Sequence, residues 1–368
     1  MRPNAVNPPK EWPTPGAHTR FVEIDLCALT PIFKGGSTTE KIDKDRPFRV
    51  PAIRGALRYW WRATSGVTDV ENLRTQEMKL FGGVHCGGPV ASAIRVGILE
   101  QNSKPGPRPD DKPYAFGVTG NPPQGKERHQ VHIDATGKLR VEWGDTDVGE
   151  EVKRALKAWL LFGGIGGRSR RGAGSVWWDN GLPRPLTIED YIAEWRALIP
   201  TRTTNLWPTL AGSVLVVGPA RNSADAAWKE GLDGMRDVRA SEGVRPGFAQ
   251  YRGDHLFEWK RKDYVPISAG EEFVSPRAAL GLPIRFNSRG NGFRGLMEPG
   301  DAKHNRFPSP LHLKILQMER WYQPVILVVG GPVPLELRAG RTRGELDGTG
   351  LDRFLKLAAQ LPGWERYE

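Results

Sequence analysis

Arginine and glycine carry most of the chemistry that this sequence can do. From Gly163 to Val176 the chain reads Gly-Gly-Ile-Gly-Gly-Arg-Ser-Arg-Arg-Gly-Ala-Gly-Ser-Val. Glycines permit positive φ and close backbone approach, and successive turn N–H groups can form a concavity for an anion. Arg168, Arg170 and Arg171 add planar guanidinium groups, each able to donate two parallel hydrogen bonds to phosphate oxygens. Gly164, Gly166, Gly167 and Ser169 complete this candidate RNA-binding loop. A tight connection with solvated arginines is the plainer alternative.

A second basic cluster lies upstream. Lys34, Lys41, Lys44, Arg46 and Arg49 lead into Pro51-Ala52-Ile53-Arg54-Gly55-Ala56-Leu57-Arg58-Tyr59-Trp60-Trp61-Arg62-Ala63. If Pro51 opens a helix, Ile53, Leu57, Trp60, Trp61 and Thr64 share one arc, because each residue advances about 100°. Arg54, Arg58 and Arg62 then form a stripe beside that arc, with no interleaved acid. A stripe of one sign favours a polyanion over a merely solvated face. Lys34, Arg46, Arg49, Arg54, Arg58 and Arg62 therefore join the candidate RNA-binding residues.

Catalytic chemistry is less visible. Metal-independent RNA cleavage asks for a general base and a general acid, most often histidine or lysine. His18, His85, His129, His132, His255, His304 and His312 all lie outside the two basic motifs. His129 and His132 are three apart and cannot share a strand face. Asp43 and Asp45 are loop carboxylates able to hold Mg²⁺, but Lys41, Lys44 and Arg46 flank them and solvated charge is the commoner explanation. No Gly-x-x-x-x-Gly-Lys-Ser/Thr occurs, and the glycine loop follows a helix instead of preceding one, which argues against an ATPase. Cys27 and Cys86 form no CxxC, and His85 beside Cys86 supplies too few ligands for zinc. The expectation is a protein without catalytic residues, metal or cofactor.

The chain has 368 residues, enough for two domains, and carries +11 formal charge with a pI near 9.7. That excess favours nucleic acid ahead of an anionic membrane. No run approaches the roughly 20 apolar residues of a bilayer span. The first twenty residues are proline-rich and lack the apolar segment of a secretory signal, so the expected location is cytoplasmic. Most of the thirteen tryptophans should be core, with some left to stack on bases.

Residues 1–19 read as an arm. A first domain over 20–180 shows a strand at 20–29, a helix from 51, an unassigned connection at 66–88 and a strand at 89–99. A proline-rich surface excursion at 101–125, a strand at 128–143, a helix at 151–162 and a short strand at 175–178 follow. This βαββαβ order is that of a ferredoxin-like (RRM-like) α+β domain, whose open sheet is a common RNA platform. A linker at 181–210 leads to a second domain over 211–368. Its strands at 211–217, 311–318 and 324–330 and helices at 224–238 and 351–361 fit a degenerate copy, interrupted by an insertion around 241–310.

Thr30-Pro31 with Phe33-Lys34-Gly35-Gly36, the segment from Ile53 to Ala63 and the Gly163 to Ser175 loop resemble the RAMP superfamily of CRISPR proteins. The likeness is closest to the first RAMP subunits of type III-B Cmr effector complexes. Leu280-Gly281-Leu282-Pro283-Ile284 and Pro308-Ser309-Pro310-Leu311-His312-Leu313-Lys314 look like that family too. The resemblance implies two ferredoxin-like RAMP domains in tandem, the second degenerate. It also implies a place near the end of the complex that holds the 3′ part of the guide RNA. Guide (CRISPR) RNA, target RNA and other Cmr complex subunits are the implied partners, with no membrane. The implied role is binding, since in related complexes target cleavage belongs to the backbone subunit and polymerase and DNase chemistry to the large subunit. Carried over by position, Lys34, Arg54, Arg58, Arg62, Arg168, Arg170 and Arg171 are the contact residues, with guide and target contacts left open. An endoribonuclease cleaving CRISPR or target RNA is the alternative, because some relatives cut RNA.

Overall fold

The computed structural model describes residues 20–33, 42, 46–85, 88–109, 111–112, 115, 130–144, 148–202, 204, 206–239, 262–286, 294–301 and 306–368. The first half runs β1 (Arg20–Ala28), α1 (Val50–Thr64), α2 (Val70–Phe81), a hairpin of β2 (Gly83–His85) and β3 (Gly88–Val90), β4 (Ile94–Pro107), β5 (Gln130–Trp143), α3 (Gly149–Phe162) and β6 (Val176–Asp179). Its sheet has the order β4-β5-β1-β6, antiparallel throughout. That is the strand order of a ferredoxin-like fold, with α1 and α3 as its two helices.

After α4 (Ile188–Leu198), the second half runs β7 (Thr209–Val217), α5 (Ala224–Arg239), α6 (Tyr264–Ala269), β8 (Phe273–Ser275), β9 (Ile284–Phe286), β10 (Gly295–Pro299), β11 (Leu311–Gln317), β12 (Tyr322–Gly330), β13 (Glu336–Ala339), β14 (Thr342–Leu346), α7 (Thr349–Ala358) and β15 (Glu365–Tyr367). The sheet order β11-β12-β7-β15 repeats the first permutation, so the two ferredoxin-like units stand in tandem. A further sheet, β8-β14-β13-β10-β9, is assembled from the α5–β11 and β12–α7 connections.

The two main sheets and their helices stack as four layers. One core runs from Val22, Ile24 and Leu26 of β1 through Trp60, Trp61, Leu156 and Trp159 to Leu215, Val325 and Leu327 on the near face of the second sheet. The far face of that sheet, with Val216, Leu313, Ile326 and Val328, packs on Trp228 of α5 and Phe354 of α7. Coverage on both faces explains the continuous apolar run of β12, whose residues 324–329 are all buried.

Three stretches differ from the sequence reading. Residues 66–88 contain α2, whose N-terminus is capped by the Asp69 side chain accepting the Asn72 N–H at 2.8 Å. Only Leu73, Leu80 and Phe81 of this helix are buried, too few to mark a period. The 181–210 stretch contains α4, opened by a reciprocal capping box between Thr187 and Asp190 that the surrounding prolines obscured. Part of the 101–125 excursion is strand, since β4 continues to Pro107. As an edge strand with two register shifts, it tolerates Pro105 and Pro107. The described residues contain no helix long and apolar enough to cross a membrane.

Candidate nucleic-acid interface

The glycine loop begins where α3 ends and is fixed from three sides. Gly174 N–H donates to the Pro31 carbonyl at 2.9 Å, the Thr30 hydroxyl donates to the Gly172 carbonyl at 2.6 Å, and Gly167 N–H donates to the Phe33 carbonyl. From the second unit, Leu313 N–H donates to the Arg170 carbonyl at 3.1 Å and the Trp228 indole N–H to the Arg171 carbonyl at 2.8 Å. Gly174 has φ 61°, and a Cβ there would fall 2.0 Å from the Ile165 carbonyl oxygen, so glycine is required. The N–H groups of Ile165, Gly167, Arg171, Gly172, Gly174 and Ser175 are all engaged inside the protein. The expected concavity of free backbone donors is thus largely closed, and anion recognition passes to the side chains the loop presents.

Those side chains face a groove of about 470 Å³ between the loop and the second unit. Arg168, Arg170 and Arg171 line one side, and the 280–285 segment with Arg277 and Phe307 lines the other. No Asp or Glu among the described residues lines it. Arg277 is held in a bidentate pair by the buried Asp263, at 2.8 and 2.5 Å, so its charge is compensated from beneath. Arg168 and Arg285 are exposed, and neither makes an ion pair among the described residues. Arg168 itself sits at φ 63°, a conformation uncommon for a non-glycine residue.

Arg170 is oriented from behind. Its guanidinium donates to the Ser309 carbonyl at 2.8 Å and lies 5.6 Å from the Tyr59 ring centroid. The Tyr59 hydroxyl is 3.1 Å from His312 Nε2. Burial pushes the Tyr59 phenol up, and burial together with the Arg170 charge holds His312 well below the usual imidazole range. His312 is therefore a neutral buffer between Tyr59 and the core. Beneath it, the buried Lys314 donates to the carbonyls of Gly163 at 2.7 Å and Val176 at 2.6 Å, tying β11 to both ends of the loop.

The α1 arginines are not brought into this groove. Arg54 and Arg58 donate to the Phe81 carbonyl at 2.6 and 3.0 Å, and Arg58 also to the Gly82 carbonyl at 2.6 Å, so both cap the C-terminus of α2. Arg62 grips Glu77 in a bidentate pair at 2.5 and 2.7 Å. Burial and the nearby Arg58 charge pull the Arg54 guanidinium below its ordinary value. The acid that α1 lacks is supplied by α2.

Arg46 and Arg49 are exposed at the approach to α1, while Lys34, Lys41, Asp43, Lys44 and Asp45 lie outside the described residues. The same holds for His18, His129, His255 and His304 and for the 1–19 arm. His132 is buried, with Nδ1 2.9 Å from the Ser103 hydroxyl. Neither Arg277 nor Arg285 lies in the two basic motifs of the sequence. The signal that could have found them is the Leu280 to Ile284 motif, which turns out to be a wall of the groove.

Residues 25–177 match the family model described as the RAMP superfamily. The CRISPR system Cmr subunit Cmr1-2 of Pyrococcus furiosus is 26% identical over 178 residues, covering 42% of this chain and 92% of that protein. The crystal structure of apo Cmr1 from Pyrococcus furiosus matches with a TM-score of 0.57 at 18% identity, covering 94% of this chain and 98% of that one. A subunit of the type III-B Cmr-beta complex bound to cognate target RNA matches with a TM-score of 0.51 at 10% identity, covering 93% and 99% of the two chains. At these identities the two structures speak for the fold, which the chain shares across both ferredoxin-like units.

Proposed function

We propose that this chain is a non-cleaving, RNA-binding subunit of a type III-B CRISPR effector complex. It sits near the end that holds the 3′ part of the guide, where it helps capture target RNA beside the other Cmr subunits. The observation that carries this reading is the groove, without Asp or Glu among its described lining residues, that sets Arg168, Arg170 and Arg171 against Arg285 at the junction of the two units. Its charge is displayed by a loop that the surrounding hydrogen bonds hold rigid, so binding costs little reorganisation. Affinity from such contacts is dominated by phosphate, tolerant of sequence and steeply dependent on salt.

The competing nuclease reading needs an acid and a base at the bound phosphate. The two histidines with described side chains that bond inside the body, His132 and His312, are engaged by Ser103 and Tyr59, and neither lines the groove. The test is incubation of the purified chain with 5′-labelled single-stranded RNA, with and without Mg²⁺, read on one gel for shift and for products. A salt-sensitive shift of intact RNA is expected. Discrete products from the wild type that disappear in a single His→Ala or Asp→Asn variant would replace this reading with that of an endoribonuclease.

A further inference from the structure

We propose that the groove takes one unpaired nucleotide of the RNA, base included, and is not merely a track for the phosphate backbone. This rests on the RNA-binding reading above and sharpens it. The two walls differ in chemistry. The loop wall is arginine, whereas the facing wall adds the apolar surface of Pro283, Ile284 and Phe307 beside Arg277 and Arg285. A backbone track has no use for an apolar wall, but a base does, because its π-face gains from aromatic and apolar contact while its phosphate seeks guanidinium.

Size points the same way. At about 470 Å³ the groove lies at the lower end of small-ligand pockets, which span about 300–1,000 Å³. A helical duplex cannot enter it, and bases become readable to proteins mainly where they are unpaired. The pocket is also built in advance. Leu282 N–H donates to the Phe307 carbonyl at 2.7 Å, which fixes the apolar wall, and the Arg170 to Ser309 bond ties that wall's neighbour to the loop. Arg168 and Arg285, exposed and without ion pairs among the described residues, are left to meet the phosphate. Phe307, half-buried, is the groove's aromatic surface among the described lining residues.

The experiment compares two labelled single-stranded octamers, oligouridylate and the same backbone with every base removed, binding to the full chain. Wild type, Phe307→Ala, Phe307→Leu and Arg168→Ala/Arg285→Ala are measured by anisotropy at two salt concentrations, after a thermal melt of each variant. The Leu variant keeps most of the packing volume, so it serves if the Ala variant unfolds. Loss of the ring should weaken binding of the base-bearing RNA by about fivefold or more, leave the abasic RNA unchanged and leave the salt slope intact. Equal losses on both RNAs, or none on either, would overturn the inference. In those cases a weakened Arg168→Ala/Arg285→Ala variant would leave the RNA-binding reading standing. A wild-type chain that binds neither RNA would remove both.

Discussion

Lys314 shows how one residue can join the two units and make their union sensitive to pH. Its ammonium is fully enclosed, and burial pushes its pKa down to about 7, against about 10.4 for an unfolded lysine. Between those values the unfolded chain binds more protons than the folded one, so this residue makes stability rise with pH through that window. Below about 7 both states are protonated and the contribution is flat. Urea unfolding at pH 7 and pH 9 should therefore show wild type gaining stability relative to Lys314→Met as pH rises. Parallel curves would mean that Lys314 does not titrate in this range. The variant should also be weaker at pH 9, because it leaves the Gly163 and Val176 carbonyls unpaired, at roughly 1–3 kcal/mol for each buried group. The apolar neighbours of Lys314 were legible in the sequence as a strand. Its burial was not, since nothing local in Leu313-Lys314-Ile315 says that both faces of that strand are covered.

At the scale of elements, α1 was legible on one flank and misleading on the other. Ile53, Leu57, Trp60, Trp61 and Thr64 are all buried, as their spacing requires. The arginine stripe, in contrast, read as RNA-facing because its partner acid, Glu77, lies fifteen residues beyond Arg62 in a helix without a clear apolar period. Charge patterning within one helix cannot reveal a neutralising neighbour that only tertiary packing supplies. Arg58→Ala combined with Arg62→Ala should thus act on stability, by about 1–2 kcal/mol because the pair with Glu77 is partly solvated, and should change RNA affinity less than twofold. Urea melts and gel shifts on the same preparation separate the two effects. A fall in RNA affinity at unchanged stability would return the stripe to the interface. The glycine loop fared better, since its composition announced a constrained backbone carrying arginines. What stayed hidden was that the motifs at 163–175, 280–284 and 308–314, far apart in sequence, meet around one groove, with 30–33 bracing the glycine loop.

At the scale of the whole molecule, the four-layer stack decides which surfaces are left for RNA. The second sheet is enclosed by helices of both units, whereas the first keeps an outer face carrying Phe21, Glu23, Asp25, Lys138, Arg140 and Glu142. Sequence reading supplied the ferredoxin-like order of the first unit and all but the last strand, β15, of the second, but the stacking depends on contacts between halves and had no local signal. That outer face is the usual RNA platform of such folds, yet here its cations are matched. Arg140 pairs with Glu23 at 3.1 Å and Glu142 at 2.6 Å while lying 4.0 Å over the Phe21 ring, and Arg184 pairs with Asp179 at 2.8 Å. The adjacent concavity of about 480 Å³ is lined by Asp25, Glu100 and Asp179 against Lys138. Place, not net charge, should therefore govern RNA binding. Lys138→Ala/Arg140→Ala and Arg168→Ala/Arg285→Ala remove the same two positive charges from different surfaces. The groove pair should flatten the dependence of log K on log salt by roughly 0.7 for the single-strand phosphate it no longer neutralises. The sheet pair should leave the slope at its wild-type value. Equal flattening in both variants would mean that the long-range field of a +11 chain dominates and that the groove has no special claim on the RNA.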